Sequence, residues 1–186
     1  IAERLDAVRR DFTDVLDLGC FDGGFTAPPG ARVTRVDAGA RFAAMAGGVQ
    51  GEEDQPHFSD GSFDLVIAAG SLDTVNDLPG ALTLIRRALR PDGLFLGAFL
   101  GGGTLSALRS VLLEAEADRP AARVHPQVDV RAAGDLLMRA GFALPVADVE
   151  TLNVRYASLF DLVRDLRGMA STSLLPSSPP LGRATV

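Results

Sequence analysis

The chain has 186 residues, 47% hydrophobic and 23% charged, which excludes a low-complexity polymer and suits one globular domain with a sizeable core. A formal charge of -6, with no basic stretch denser than Arg86, Arg87 and Arg90, excludes a nucleic-acid footprint and points to small molecules or proteins as partners. The single cysteine, Cys20, excludes an internal disulfide and a cysteine zinc cluster and fits a reducing compartment, the cytoplasm; residues 93–108, the longest uncharged run, are too short and glycine-rich to span a membrane.

In chain order, Val15, Leu16 and Leu18 form an apolar run stopping at Gly19, as a buried strand entering the turn Cys20-Phe21-Asp22-Gly23-Gly24 does. Val33 and Val36 suggest a second strand ending at Asp37, and residues 41–46 a short helix before a polar stretch to residue 55. Residues 63–69 read as a third strand, apolar enough to be covered on both faces. Asp77 caps a helix with Pro79 in its first turn and an apolar stripe of Leu78, Leu82, Ile85 and Leu89. Arg90-Pro91-Asp92-Gly93 reads as a turn into a strand over residues 94–100.

Beyond Gly101 to Gly103, Thr104 is placed to cap a helix carrying Leu105, Leu108 and Leu112. Residues 131–140 predict another helix, closed by Gly141, with Phe142 opening a strand and residues 152–156 forming the last one. Ser158 and Asp161 resemble a capping box ahead of Leu159, Leu162, Val163 and Leu166. The expected domain is therefore residues 1–169, and residues 170–186, rich in Ser and Pro without periodicity, are a lid or tail. Because the first residue is Ile1, an upstream segment is expected.

Strands alternating with helices predict an α/β fold: a doubly wound, mainly parallel sheet in a single domain. Its ligand crevice lies at the carboxyl ends of the central strands, here residues 19–24, Asp37 and residues 69–73. The most specific constellation is Asp17-Leu18-Gly19-Cys20-Phe21-Asp22-Gly23, with Asp37 ending the next strand. Glycines after a first strand admit close backbone approach, a following helix offers N–H groups to an anion, and an acid ending the second strand accepts ribose hydroxyls. Gly19, Gly23 and Gly24 do not follow the dinucleotide spacing, so a nucleoside carrying a carboxylate fits better than a nicotinamide dinucleotide. His57 and His125 are isolated, and no metal site is implied.

Val15 to Gly23 resembles the first motif of the class I S-adenosylmethionine-dependent methyltransferases. Asp60-Gly61-Ser62-Phe63-Asp64-Leu65-Val66 is similar to their segment before the fourth strand, and Arg90-Pro91-Asp92-Gly93-Leu94 to their turn before the fifth. Val75-Asn76-Asp77-Leu78-Pro79, Arg139-Ala140-Gly141-Phe142 and residues 156–169 resemble the branch of the mitochondrial complex I assembly factor of methyltransferase type and its bacterial relatives. The likeness extends more loosely to the malonyl-carrier-protein methyltransferases of biotin synthesis.

The resemblance implies a Rossmann-like fold holding S-adenosylmethionine, with S-adenosylhomocysteine as product. Asp17, Gly19, Cys20, Phe21 and Gly23 would lie along the methionine, Asp37 and Ala38 at the ribose, Glu52 and Glu53 at the adenine, and Ala69 and Ser71 after the fourth strand. Asp73 and Tyr156 are the candidates for a base, although methyl transfer from a sulfonium depends mainly on positioning and desolvation. Three departures stand out: Phe21 at the usual middle glycine, Pro56-His57-Phe58 for Leu-Pro-Phe, and Asp73-Thr74 for His-Trp. Three functions follow: a methyltransferase acting on a small or carrier-bound acid or a protein side chain, a cofactor-binding protein-arginine hydroxylase active in complex I assembly, or a degenerate interaction module without cofactor. No oligomeric state is implied.

Overall fold

The computed structural model describes residues 1–55, 58–171, 175, 179 and 180. His57 and most of the expected tail lie outside the described residues. The chain forms two compact units, one of Ile1–Leu100 with Arg131–Ala147, the other of Gly101–Val130 with Asp148–Val186.

The first unit contains α1 (Ala2–Asp6), β1 (Asp14–Leu18), β2 (Arg32–Asp37), α2 (Ala40–Met45), β3 (Val49–Gln50), β4 (Phe63–Ala69), α3 (Leu78–Ala88), β5 (Leu89–Ala98) and nearly all of α5 (Val130–Arg139). The strands form an all-parallel sheet in the order β3-β2-β1-β4-β5. The order reverses between β1 and β4, so a switch point opens at their carboxyl ends.

Alternation along the central strands divides the core. Leu16, Leu18, Val66 and Ala68 face α3 through Leu82, Ile85 and Ala88, with Leu136, Leu137 and Ala140 of α5 packed alongside. Val15, Leu65 and Ile67 face the other way, onto Phe12 and onto Ile1, Leu5, Val8 and Phe25. The Asp77 carboxylate accepts the Gly80 N–H at 2.9 Å to start α3, and Gly141, at φ 89°, ends α5.

Several expectations change. No helix joins β1 to β2: residues 19–31 cross as a loop, so no helix N-terminus faces the crevice there. Thirteen residues holding Pro28, Pro29 and Gly30 leave little room for three helical turns. Leu89 to Gly93 belong to β5 rather than to a helix end and a free turn. Between the pairs Phe63↔Leu89 and Leu65↔Leu94, β4 spends one residue, Asp64, where β5 spends four, and Asp92 takes φ 63° in the resulting bulge. No strand follows β5 among the described residues: Leu144 at φ 51° and Pro145, which has no N–H, interrupt the stretch expected to extend the sheet. Phe142 instead packs its ring 5.4 Å from Phe95.

In the second unit α4 (Ser106–Ala115) starts after Leu105 at φ 55°. Thr104 does not cap it, because its hydroxyl donates to the Gly101 carbonyl at 2.7 Å. Residues 152–156 are not a strand. The Ser158 hydroxyl accepts the Asp161 N–H at 3.2 Å at the start of α6 (Leu159–Gly168), as the capping box predicts.

Candidate functional site

The carboxyl ends of β1, β2 and β4 converge on one cluster of acids in the first unit. Asp17 lies one residue before the end of β1, 2% exposed, in register with Arg35 of β2. Its Oδ2 makes no hydrogen bond, and the nearest cation, Arg35 Nε, stands 3.7 Å away. Burial raises the Asp17 carboxyl to about 6, against the pull of Arg35 and with a push from Asp37.

Past Leu18 the backbone turns sharply. Gly19 takes φ 68°, and it and Cys20 both donate N–H bonds to the Val36 carbonyl, at 2.8 and 3.0 Å. A Cβ on Gly19 would collide with the Ser71 hydroxyl and meet Glu53 Oε1 at 3.1 Å, so only glycine fits. The Gly23 N–H then closes a turn on the Cys20 carbonyl at 2.8 Å. Phe21 occupies that turn at φ 50°, a conformation costing of order 1 kcal/mol for a residue with a side chain. Its ring stacks on Phe42 of α2 with centroids 4.3 Å apart.

Asp37, at the end of β2, is buried and accepts two backbone N–H groups, Phe21 on Oδ2 and Gly39 on Oδ1, both at 2.8 Å. Each oxygen retains a second lone pair. Glu53 is buried in the same cluster, where burial raises its carboxyl and the charges of Asp37 and Glu52 add to the effect. Cys20 is 5% exposed, and burial followed by the charges of Asp17 and Asp37 pushes its thiol up to about 11, so it stays protonated and inert.

The structure thus brings together Asp17, Gly19, Cys20, Phe21, Gly23, Asp37, Glu53 and Ser71. Ala38 follows Asp37, and its carbonyl accepts the Gln50 amide at 3.1 Å. Glu52 is exposed, unlike its neighbour. Ala69 ends β4 on the exposed side, before Gly70 at φ 90°. Asp73 is half-buried in the turn that follows, beside Thr74, whose hydroxyl donates to the Ser71 carbonyl at 3.1 Å. Tyr156 lies in the second unit, where its hydroxyl donates to Asp165 Oδ2 at 2.7 Å, a bond that raises its pKa.

Sequence reasoning missed Arg35, Gly39 and Phe42. Gly39, two residues after Asp37, carries the signature of a side chain that turns back on its own backbone. Arg35 has no such signal, because the strand register alone sets it opposite Asp17.

Three buried carboxylates, Asp17, Asp37 and Glu53, concentrate negative potential at the carboxyl ends of β1 and β2. It favours a ligand with a cationic centre and hydroxyls and opposes a pyrophosphate. Asp17 Oδ2, buried without a hydrogen bond, suits a positively charged donor, and Gly19 lets Ser71 and Glu53 pack close beside it.

Residues 16–97 match the methyltransferase domain family. The chain is 34% identical over 93% of its length to the mitochondrial arginine-hydroxylase NDUFAF5 of Rattus norvegicus, of which it covers 54%. It is 32% identical over 96% of its length to the malonyl-[acyl-carrier protein] O-methyltransferase of Halorhodospira halophila, covering 65% of that protein. The chain therefore spans about half the length of the hydroxylase and just under two thirds of the transferase. In fold it is similar to an S-adenosylmethionine-dependent methyltransferase of Methanosarcina mazei, with a TM-score of 0.66 at 19% identity over 83% of this chain and 91% of the other.

Proposed function

We propose that this chain, whose residues 16–97 match the methyltransferase domain family, is a class I S-adenosylmethionine-dependent methyltransferase that binds the cofactor in the acid cluster and transfers its methyl group to an acceptor. When bound, the cofactor supplies an electrophilic methyl on a sulfonium, so the protein's task is placement and exclusion of water. The observation carrying the reading is Asp17 Oδ2, buried without a hydrogen bond at the carboxyl end of β1 and next to Asp37 and Glu53.

Each residue contributes through its own geometry. Asp17 presents a carboxylate to a cationic group, Gly19 and Cys20 turn the chain by bonding their N–H groups to the Val36 carbonyl, and Asp37, steadied by two N–H groups, offers its free lone pairs to ribose hydroxyls. Glu53, rather than the exposed Glu52, supplies the inner acid on the adenine side. Asp73 and Tyr156 are the base candidates; Tyr156 is held as a neutral phenol by Asp165. The acceptor is a small or carrier-bound acid or a protein side chain, and the carrier-bound option is supported by the malonyl-carrier-protein relatives. The protonated Cys20 suits a reducing compartment, the cytoplasm, and among the described residues no helix is long and apolar enough to cross a membrane.

The hydroxylase relatives support a second reading, a protein-arginine hydroxylase active in respiratory complex assembly. Calorimetric titration with S-adenosylmethionine and S-adenosylhomocysteine, with Asp37→Ala as control, tests the shared premise: micromolar binding lost in the variant is expected. A folded protein that binds neither would point to an interaction module without cofactor. Mass spectrometry of a modified acceptor separates the two activities, since a methyl group marks the first and one added oxygen the second.

A further inference from the structure

Phe21 occupies a place where a glycine would be free of strain, and its surroundings compensate. Its N–H donates to Asp37 Oδ2 at 2.8 Å and its ring stacks on Phe42 at 4.3 Å, with an interplanar angle of 29°. Phe42 also lies over the other half of the Asp37 anchor. A Cβ on Gly39, whose N–H holds Asp37 Oδ1, would meet Phe42 Cδ2 at 3.0 Å and Asp37 Oδ1 at 3.1 Å. Farther along the loop, a Cβ on Gly23 would meet the Ala46 backbone at 3.2 Å. The contacts form a closed circuit from Phe21 through Asp37 and Gly39 to Phe42 and back to Phe21.

A loop built on glycine would pay for its freedom in entropy each time it closed around a ligand. Here the aromatic pair pins the loop to α2 before any ligand arrives, and the same pinning fixes both oxygens of Asp37. We propose that Phe21 and Phe42 act together as a positioning pair that preorganises residues 19–24 and the Asp37 carboxylate for the ribose of the cofactor. This inference rests on the cofactor reading above. At φ 50° the Phe21 ring stacks on Phe42 of α2.

S-adenosylhomocysteine, which cannot turn over, is the probe, titrated calorimetrically into the full chain and into Phe21→Gly, Phe42→Ala, the double variant and Phe21→Tyr. Each single replacement is expected to weaken binding by about tenfold, with the double variant little worse than either because the two side chains act as one unit. Phe21→Tyr, which keeps the ring, is expected to bind as the parent does. Amide hydrogen exchange without ligand provides a second readout: the Phe21 and Gly39 N–H groups exchange faster in Phe42→Ala while the amides of β1 and β4 stay protected, which separates loop release from general unfolding. Tighter binding by Phe21→Gly would show that the ring obstructs the ligand and would overturn the proposal, as would additive losses in the double variant. If the parent binds no S-adenosylhomocysteine, the cofactor reading fails and this inference with it; parent binding matched by Phe21→Gly overturns only the inference.

Discussion

Asp14 and Asp17 are three residues apart on one strand, at opposite ends of the sheet, and the structure treats them in opposite ways. Asp14 pairs with Arg90 at 2.8 Å and Arg32 at 2.6 Å, and the Arg90 hydrogen bond leads in holding its carboxyl below the usual range. Nearby Asp64 is buried, which works against its charge. It nevertheless accepts the Thr13 hydroxyl at 2.7 Å, the Thr13 N–H at 2.9 Å and the Asp14 N–H at 3.1 Å, and its carboxyl also stays below the usual range. Asp17 has a distant arginine and an unbonded oxygen, and its carboxyl rises to about 6. The amino end of the sheet satisfies its acids and is built for stability; the carboxyl end leaves Asp17 Oδ2 without a hydrogen bond and is built to be completed by a ligand.

The largest expected effect breaks the stabilising end. Asp64→Ala removes the acceptor of three hydrogen bonds from Thr13 and Asp14, and urea unfolding should show a loss of roughly 3 kcal/mol. The variant should bind cofactor normally wherever it remains folded. If Asp64→Ala is as stable as the parent, the amino end is not the stabilising one.

The next effect has the opposite sign. Asp17 titrates near 6 when folded and near 3.8 when unfolded, so the unfolded chain gives up its proton first as pH rises. Stability from this group is complete below about pH 4 and is lost as pH climbs to about 6. Asp17→Asn should therefore stabilise the ligand-free protein at pH 7 by of order 1–3 kcal/mol, with the gain shrinking toward pH 4. Unfolding curves across that range provide the check, and a destabilised variant would mean that the Arg35 pair outweighs the burial of the charge. A smaller effect is expected from Gly19→Ala, whose new Cβ would displace Ser71 and sit at φ 68°: about 1–2 kcal/mol in thermal unfolding, with cofactor affinity largely lost.

The same contrast explains what could be read from the chain alone. The central strands were legible because Val15 to Leu18 and Phe63 to Ala68 are buried on both faces and carry apolar runs that stop at or just before glycine. Asp37 was legible because an acid closing the second strand has one place to go. Registers were not legible: nothing local pairs Asp17 with Arg35, or sets Asp64 against a four-residue bulge. Glu52 and Glu53 are chemically equivalent in sequence, and only the turn decides which is buried. The missing helix after β1 and the missing strand after Phe142 share a cause, since proline and left-handed residues in both stretches outweigh the apolar pattern around them.

The most direct measurement is S-adenosylmethionine affinity as a function of pH, by calorimetry from pH 5 to 8, for the parent and Asp17→Asn. A cationic ligand group stabilises ionised Asp17, so the parent should bind more tightly as pH rises through about 6, with about one proton released below that midpoint and almost none above it, while Asp17→Asn binds weakly with no such step. Parent binding that is flat across this range and unchanged by Asp17→Asn would contradict the claim that the unsatisfied Asp17 at the carboxyl end of the sheet holds the cofactor.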